Sequence, residues 1–261
     1  SKFMKTMIFK YLKFRDNLFR DDGLILRASP RNDLNDPFEF LPPIILYEKI
    51  VEMHKQRKTS VPSYKQITQT FFNFHGAISF TESKSNLLMW SHYADEHRGV
   101  VLGFDNNHHF FSDLKIVKYD STIPNDFFRD IDLNDNDALL KLFYIKSDEW
   151  AYEQEHRIVK DLIDSDYYID NADNEVVRNI NNASTKWKHF FVVPYNALLE
   201  VYLGCRMTAS EKKRICKLLA SKAKGTIINT FEAIQAKASL RLDFQEYTTI
   251  DDRCVDTEPS D

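Results

Sequence analysis

Glycine is scarce in this chain, with six in 261 residues. They stand at Gly23, Gly76, Gly99, Gly103, Gly204 and Gly225, and no two have the spacing of G-x-G-x-x-G or G-x-x-x-x-G-K-[ST]. A Rossmann fingerprint and a Walker phosphate loop are therefore excluded. Cysteine is scarcer, with three: Cys205, Cys216 and Cys254. An odd number without C-x-x-C spacing specifies neither a disulfide framework nor a structural zinc site, and free thiols in a reducing cytoplasm are the expectation. Long apolar runs are lacking too: no stretch reaches the ~18 residues of a membrane span, and no charged-apolar-small leader is seen. A cytoplasmic protein without membrane partners is expected, with Met4 or Met7 as a natural start. Neither sign of charge dominates: Lys and Arg total 35 against 39 Asp and Glu, a formal net charge of −4. That argues against a protein that coats nucleic acid or anionic membranes and leaves room for a local basic cleft.

What is present is a chain with 43% hydrophobic residues, enough for one sizeable core. MIFKYLKF at 7–14 reads as a strand, 15–22 as a short helix stopped by Gly23, and 24–28 as a second strand. The following stretch to Glu39 is dense in Asn, Asp, Pro and Ser, the residues that bond their own backbone in turns. From Ile44 to Phe74 apolar positions recur at helical intervals, and Val61-Pro62 divides two helices into an inserted, lid-like pair. Strands are expected at 76–81, 100–104, 115–119, 150–161, 188–193, 198–203, 226–231 and 238–244. Helices are expected at 86–95, at 138–149, and at 208–224 with Ser210 as cap and Gly225 as stop. Residues 164–185 read as a weakly patterned surface excursion, and 251–261 as a flexible tail. The sum is one α+β domain over 4–250, a central mixed or antiparallel sheet with flanking helices and a helical insertion at 44–74.

Polar and aromatic residues collect in four clusters at the ends of expected strands: Lys10-Tyr11; Asn35-Asp36-Pro37-Phe38-Glu39; Trp90-Ser91-His92-Tyr93 leading to His97-Arg98-Gly99; and Trp150-Ala151-Tyr152-Glu153-Gln154-Glu155-His156-Arg157. With Ser79-Phe80-Thr81 and the run from Gly99 to Phe104, these motifs resemble the bacterial DUF2971 family, a domain of unknown function, from Phe9 to about Phe244. The family names no activity, so function has to come from the site.

Two of the motifs also resemble those of mono-ADP-ribosyltransferases, which carry a basic residue on an early strand, an S-x-[ST] strand and a later E-x-E. Ser79-Phe80-Thr81 and Glu153-Gln154-Glu155 are similar to the second and third; Lys10-Tyr11 stands where those enzymes have Arg or His. The resemblance implies NAD as a substrate and no metal. Glu155 would stabilise the ribosyl oxocarbenium ion and Glu153 would orient or deprotonate the acceptor, with Tyr93 and His92 beside them. Tyr93 or Tyr152 could stack on a ring, and Lys10, Arg27, Arg31 or Arg98 could hold the pyrophosphate. Tyr11, Asn35, Asp36, Glu39, Ser79, Thr81 and Arg157 complete the expected nucleotide site. The acceptor could be a protein or a nucleic acid, and a toxin or phage-defence effector is the implied setting.

Plainer roles compete. Asn35-Asp36-Pro37 suits an Asx turn, Glu153, Glu155 and Arg157 could form a salt-bridge ladder on one strand face, Trp90 suits a core, and His108-His109 suits a loop. Two other functions stay open. One is a metal-dependent nuclease using Asp36, Glu39, Glu153, Glu155 and Lys160. The other is a non-catalytic binding or sensing module that grips a partner through Lys55, Arg57 and Lys58 of the insertion.

Overall fold

Apolar side chains alternate along the central strands, and the alternation sorts them into two cores. In a computed structural model describing residues 7–70, 73–122, 139–170, 175–180, 184 and 187–248, strand β1 (Met7–Leu12) sends Ile8 to one core and Phe9 and Tyr11 to another. The same period of two, natural to a pleated strand, divides Val100, Leu102 and Phe104 from Val101 on β5 (Val100–Asp105). It also divides Val201 and Leu203 from Tyr202 on β13 (Leu198–Leu203). Both faces of the sheet are thus covered.

The remaining strands are β2 (Phe19–Arg20), β3 (Gly23–Ala28), β4 (His75–Thr81), β6 (Lys115–Ile116), β7 (Lys118–Tyr119), β8 (Ile145–Lys146) and β9 (Glu155–Asp161), then β10 (Tyr167–Ile169), β11 (Val176–Arg178), β12 (Lys188–Val193), β14 (Asn229–Gln235) and β15 (Leu242–Glu246). An eight-stranded sheet runs β15-β14-β13-β5-β1-β4-β9-β6, and a five-stranded sheet runs β11-β10-β12-β3-β2. In the larger sheet β13 and β14 are parallel and the other neighbours antiparallel, so the sheet is mixed and the fold α+β, as expected. The larger core lies between these sheets and takes in Ile215 and Leu219 of α4 (Ala209–Lys222). The second core lies under α3 (Leu87–Tyr93), whose Met89 and Trp90 cover Phe9 and Tyr11. A third joins Leu46 and Ile50 of α1 (Ile44–Gln56) to Phe40, Leu142 and Phe143. Among the described residues no helix is long and apolar enough to cross a membrane.

The insertion forms as its periodicity requires, α1 followed by α2 (Tyr64–Thr70) with the Val61-Pro62 break between them. Its basic residues Lys55, Arg57 and Lys58 sit exposed at the carboxyl end of α1, where a helix dipole favours positive charge. Several expectations need correction. In the described part of the helix expected at 138–149, Lys141–Tyr144 is a 3-10 turn, Ile145–Lys146 is β8 and Asp148–Glu153 is a second 3-10 turn. Pairing of β8 with β7 and burial of Leu142 and Phe143 in the third core override helical propensity there. The strand expected at 150–161 starts only at Glu155, so Glu153 is not on it. The strand expected at 115–119 is split between two sheets. The excursion at 164–185 contains β10 and β11, with Tyr167 and Ile169 in the larger core. Helix α4 is capped by Thr208 in a capping box with Glu211, not by Ser210. The tail at 251–261 lies outside the described residues.

One close approach fixes the turn after α3. Asp95, Glu96 and His97 are all left-handed, and a Cβ on Gly204 would lie 2.1 Å from the His97 carbonyl oxygen. Gly204→Ala is therefore expected to cost about 1–3 kcal/mol through overpacking. The urea midpoint checks it, and an unchanged midpoint would contradict this contact.

Candidate functional site

Strand β1 pairs with β5 over its full length but with β4 only at Phe9 opposite Thr81. Beyond that point the two neighbours diverge, and Lys10 fills the opening: its half-buried ammonium donates to the Ser79 carbonyl at 2.7 Å. The divergence opens a cavity of about 270 Å³. Its walls come from β1 (Lys10, Tyr11), β4 (Ser79, Thr81), the loop after β3 (Ser29, Asn35, Glu39), and α3 (His92, Tyr93). Lys146, Glu153, Glu155 and Arg157 make the charged wall. Burial brings the Lys10 ammonium down to about 8, with Glu155 opposing the shift.

The β4–β9 register sets Thr81 opposite Glu155 and Ser79 opposite Arg157. Residues two apart on a strand share a face, so Glu155 and Arg157 emerge together. Glu153 joins them by another route: it ends the 3-10 turn, and Gln154 in the left-handed region (φ 45°) swings the chain into β9. Glu39 is aimed by the loop. The Asp36 carboxylate accepts the Phe38 N–H at 2.8 Å and its carbonyl accepts the Glu39 N–H, an Asx turn. Phe40 follows in a left-handed conformation and packs on Phe143, ring centroids 4.2 Å apart. A bulky residue held there is a strained one, and it sits in the third core directly after Glu39 of the cavity wall.

Three carboxylates, Glu39, Glu153 and Glu155, all 3–4% exposed, surround Lys146 and Arg157. Arg157 binds Glu155 through two nitrogens at 2.6 and 2.7 Å, reaches Glu39 with a third N–H, and donates to the Phe143 carbonyl at 2.7 Å. Lys146 lies 2.7 Å from Glu153, 3.3 Å from Glu155 and 3.6 Å from Glu39. Burial penalises the Glu155 charge, but Arg157, Lys146 and the Ser79 hydroxyl outweigh it and hold the carboxyl well below the usual range. Burial likewise opposes the Lys146 charge, and the three glutamates overcome it, so the ammonium is raised. Glu39 goes the other way: burial raises it, more than Arg157 and Lys146 pull it back.

At the rim the Tyr93 hydroxyl donates to Glu153 at 2.6 Å and accepts from Asn35 at 3.3 Å. Burial, and then the Glu153 charge, push its ionisation far above the ordinary tyrosine value, so it stays a donor. Tyr11 braces the wall, donating to the Ser83 carbonyl at 2.9 Å and accepting from the Asn86 N–H. Asn86 caps α3 and donates to the Tyr152 carbonyl, tying the helix to the turn that carries Glu153.

The structure brings Lys10, Tyr11, Asn35, Glu39, Ser79, Thr81, His92, Tyr93, Glu153, Glu155 and Arg157 to one cavity. Others lie outside its lining: Asp36 serves the Asx turn, Arg27 pairs with Asp33, Arg98 pairs with Glu96 at 3.1 Å, and Tyr152 packs on the second core. Trp90 is wholly buried core. Lys160 lies over the rings of Phe110 and Phe191. The residues sequence reasoning missed are Lys146, hidden in an expected helix, and Tyr119, whose hydroxyl accepts the Glu155 N–H at 2.7 Å. A lysine ending the apolar run from Leu139 to Ile145 was the available signal for the first.

Residues 89–158 match the model of a family described as a protein of unknown function, DUF2971. The match supports the family assignment and spans α3 to β9, including Tyr93, Lys146, Glu153, Glu155 and Arg157. No curated protein and no solved structure matches the chain.

Proposed function

We propose that this chain is an enzyme that breaks the nicotinamide–ribose bond of NAD, passing ADP-ribose to an acceptor or to water. The observation that carries the reading is that Ser79, Tyr93 and Glu155, from three different elements, line one cavity in which Glu155 is held ionised. As the C1′–N bond breaks, its electron pair leaves with neutral nicotinamide and positive charge grows on the ribose. A fixed carboxylate that needs no reorganisation stabilises that charge, which is the role of Glu155. Glu153, bridged by Tyr93 and Lys146, would orient or deprotonate the acceptor. The volume of about 270 Å³ corresponds to roughly nine waters at ~30 Å³ each. That accommodates a nicotinamide riboside, so the phosphates and adenosine would lie outside, past Lys10. A metal-dependent nuclease fits less well, because Lys146 and Arg157 already occupy carboxylate oxygens a metal cation would use. An NAD-consuming activity suits a toxin or a defence effector; the acceptor could be protein or nucleic acid.

The test is nicotinamide release from NAD by the purified protein, with and without bacterial lysate as a source of acceptor. Saturable release is expected, and Tyr93→Phe should slow it about tenfold, the equivalent of one 1.4 kcal/mol hydrogen bond. Absence of release in both conditions, together with no NAD binding by calorimetry, would sink the reading.

A further inference from the structure

The carboxylates of the charged wall outnumber the cations that touch them. Among the described residues, Glu39, Glu153 and Glu155 meet Lys146 and Arg157, three potential negative charges against two positive ones. Lys10, the other lysine of the cavity, bonds the Ser79 carbonyl and adds its charge on the side of Glu155, so it does not make up the deficit at Glu39. A buried anion without a full counter-charge is costly and is relieved by taking up a proton.

Donor geometry shows where that proton goes. Glu155 receives two bonds from Arg157 and one from Lys146. Glu153 receives short bonds from Lys146 and Tyr93, 2.7 and 2.6 Å. Glu39 receives one N–H from Arg157, and its other oxygen lies 3.6 Å from Lys146. Facing it are Arg157 and Glu155 from β9, Lys146 from β8 and Glu153 from the turn between them; Lys10 on β1 lies nearer Glu155. Glu39 is the least stabilised anion of the three, and burial moves it in the matching direction.

We propose that Glu39 carries a proton at neutral pH and is the proton donor of the cavity, which extends its substrates to neutral N-ribosides whose base departs only when protonated. The inference rests on the reading that this cavity cleaves an N-ribosidic bond and deepens it. Nicotinamide leaves NAD as a neutral molecule and needs no acid. The base of a nucleoside would leave as an anion, and a donor changes that. The C1′–N bond breaks, its electron pair goes to the base, and the Glu39 proton neutralises the base. Water adds to C1′ and its proton returns to the Glu39 carboxylate, so that nucleoside and water give free base and ribose. Two carboxyl groups set to opposite protonation states in one site is the arrangement acid-assisted glycoside cleavage requires.

Glutamine is a neutral isostere of a protonated glutamate, so Glu39→Gln separates the outcomes. Its melting temperature at pH 7 should stay within about 3 °C of wild type. As pH rises toward 9, wild type should lose stability where the variant does not, because a raised carboxyl pKa is a cost once the folded group must ionise. In the variant, base release from adenosine and inosine should fall at least about 100-fold further than nicotinamide release from NAD does, the scale of acid catalysis. A large drop in melting temperature would mean that Glu39 is ionised and paired, and would overturn the proposal. Equal loss on both substrate classes would do the same. Wild type that cleaves NAD but not nucleosides overturns the proposal and leaves the NAD reading standing; cleavage of neither removes both.

Discussion

Arg157→Met is expected to be among the most destabilising single substitutions in the chain, lowering stability by about 3–5 kcal/mol, the usual cost of deleting one partner of a buried ion pair. Arg157 is 1% exposed, and it hydrogen-bonds both Glu39 and Glu155 while satisfying the Phe143 carbonyl. Its removal leaves Glu155 with Lys146 and Ser79, and leaves Glu39 with a single distant cation. For a chain of this length the loss amounts to roughly 10 °C in melting temperature. The sign of its pH dependence distinguishes lost charge compensation from lost packing. In wild type the depressed pKa of Glu155 contributes stability that is present above the ordinary carboxylate range and disappears as pH falls through the folded value. The variant lacks that contribution and can protonate Glu155 instead, so the difference between the two proteins should shrink from pH 7 to pH 4. Urea denaturation at several pH values measures it. A pH-independent gap would assign the loss to packing against Phe40, which Arg157 overlies at 5.1 Å.

The strands of the larger sheet were legible because they alternate: β1, β4, β5 and β13 sort their side chains between two cores, and that period is written in the residues themselves. The two helices of the insertion were legible from their spacing and the intervening proline. The wall between Leu139 and Glu155 was not. Leu139, Leu140, Leu142 and Phe143 satisfy a helical pattern, yet the chain there is divided into 3-10 turns and a two-residue strand by contacts with β7 and the third core. Misreading that stretch hid Lys146, the cation that draws Glu39, Glu153 and Glu155 together. The residues of the cavity could be named from polar clusters, because side chains of that density at strand ends have few structural uses. Their relation could not, since Glu39 and Arg157 meet across a separation of 118 residues. Nor could the division of labour within Asn35–Glu39, where Asp36 shapes the turn and Glu39 enters the cavity.

Glu155→Gln is expected to reduce N-ribosidic cleavage by about 10²–10³-fold, the effect of removing one preorganised electrostatic contact to a charge that exists only in the transition state. Because the missing interaction is absent from the ground state, the loss should fall on kcat with little change in KM. The substitution also removes one negative charge from a wall that holds two cations. If Glu39 is the proton-bearing member, it can ionise when Glu155 becomes neutral, and the wall regains balance by releasing a proton. The fold should then survive with a loss of about 1–2 kcal/mol, well below that of Arg157→Met, because hydrogen bonds weaken without an uncompensated charge. Glu155→Gln combined with Glu39→Gln takes away that compensation and leaves Lys146 and Arg157 facing Glu153 alone, so the double variant should be destabilised by more than the sum of the singles. Thermal melts of the four proteins, with nicotinamide release measured beside them, check both halves of the argument. Additive stabilities would show that the two carboxyl groups are not coupled through a shared proton. An active Glu155→Gln variant would remove Glu155 from the chemistry.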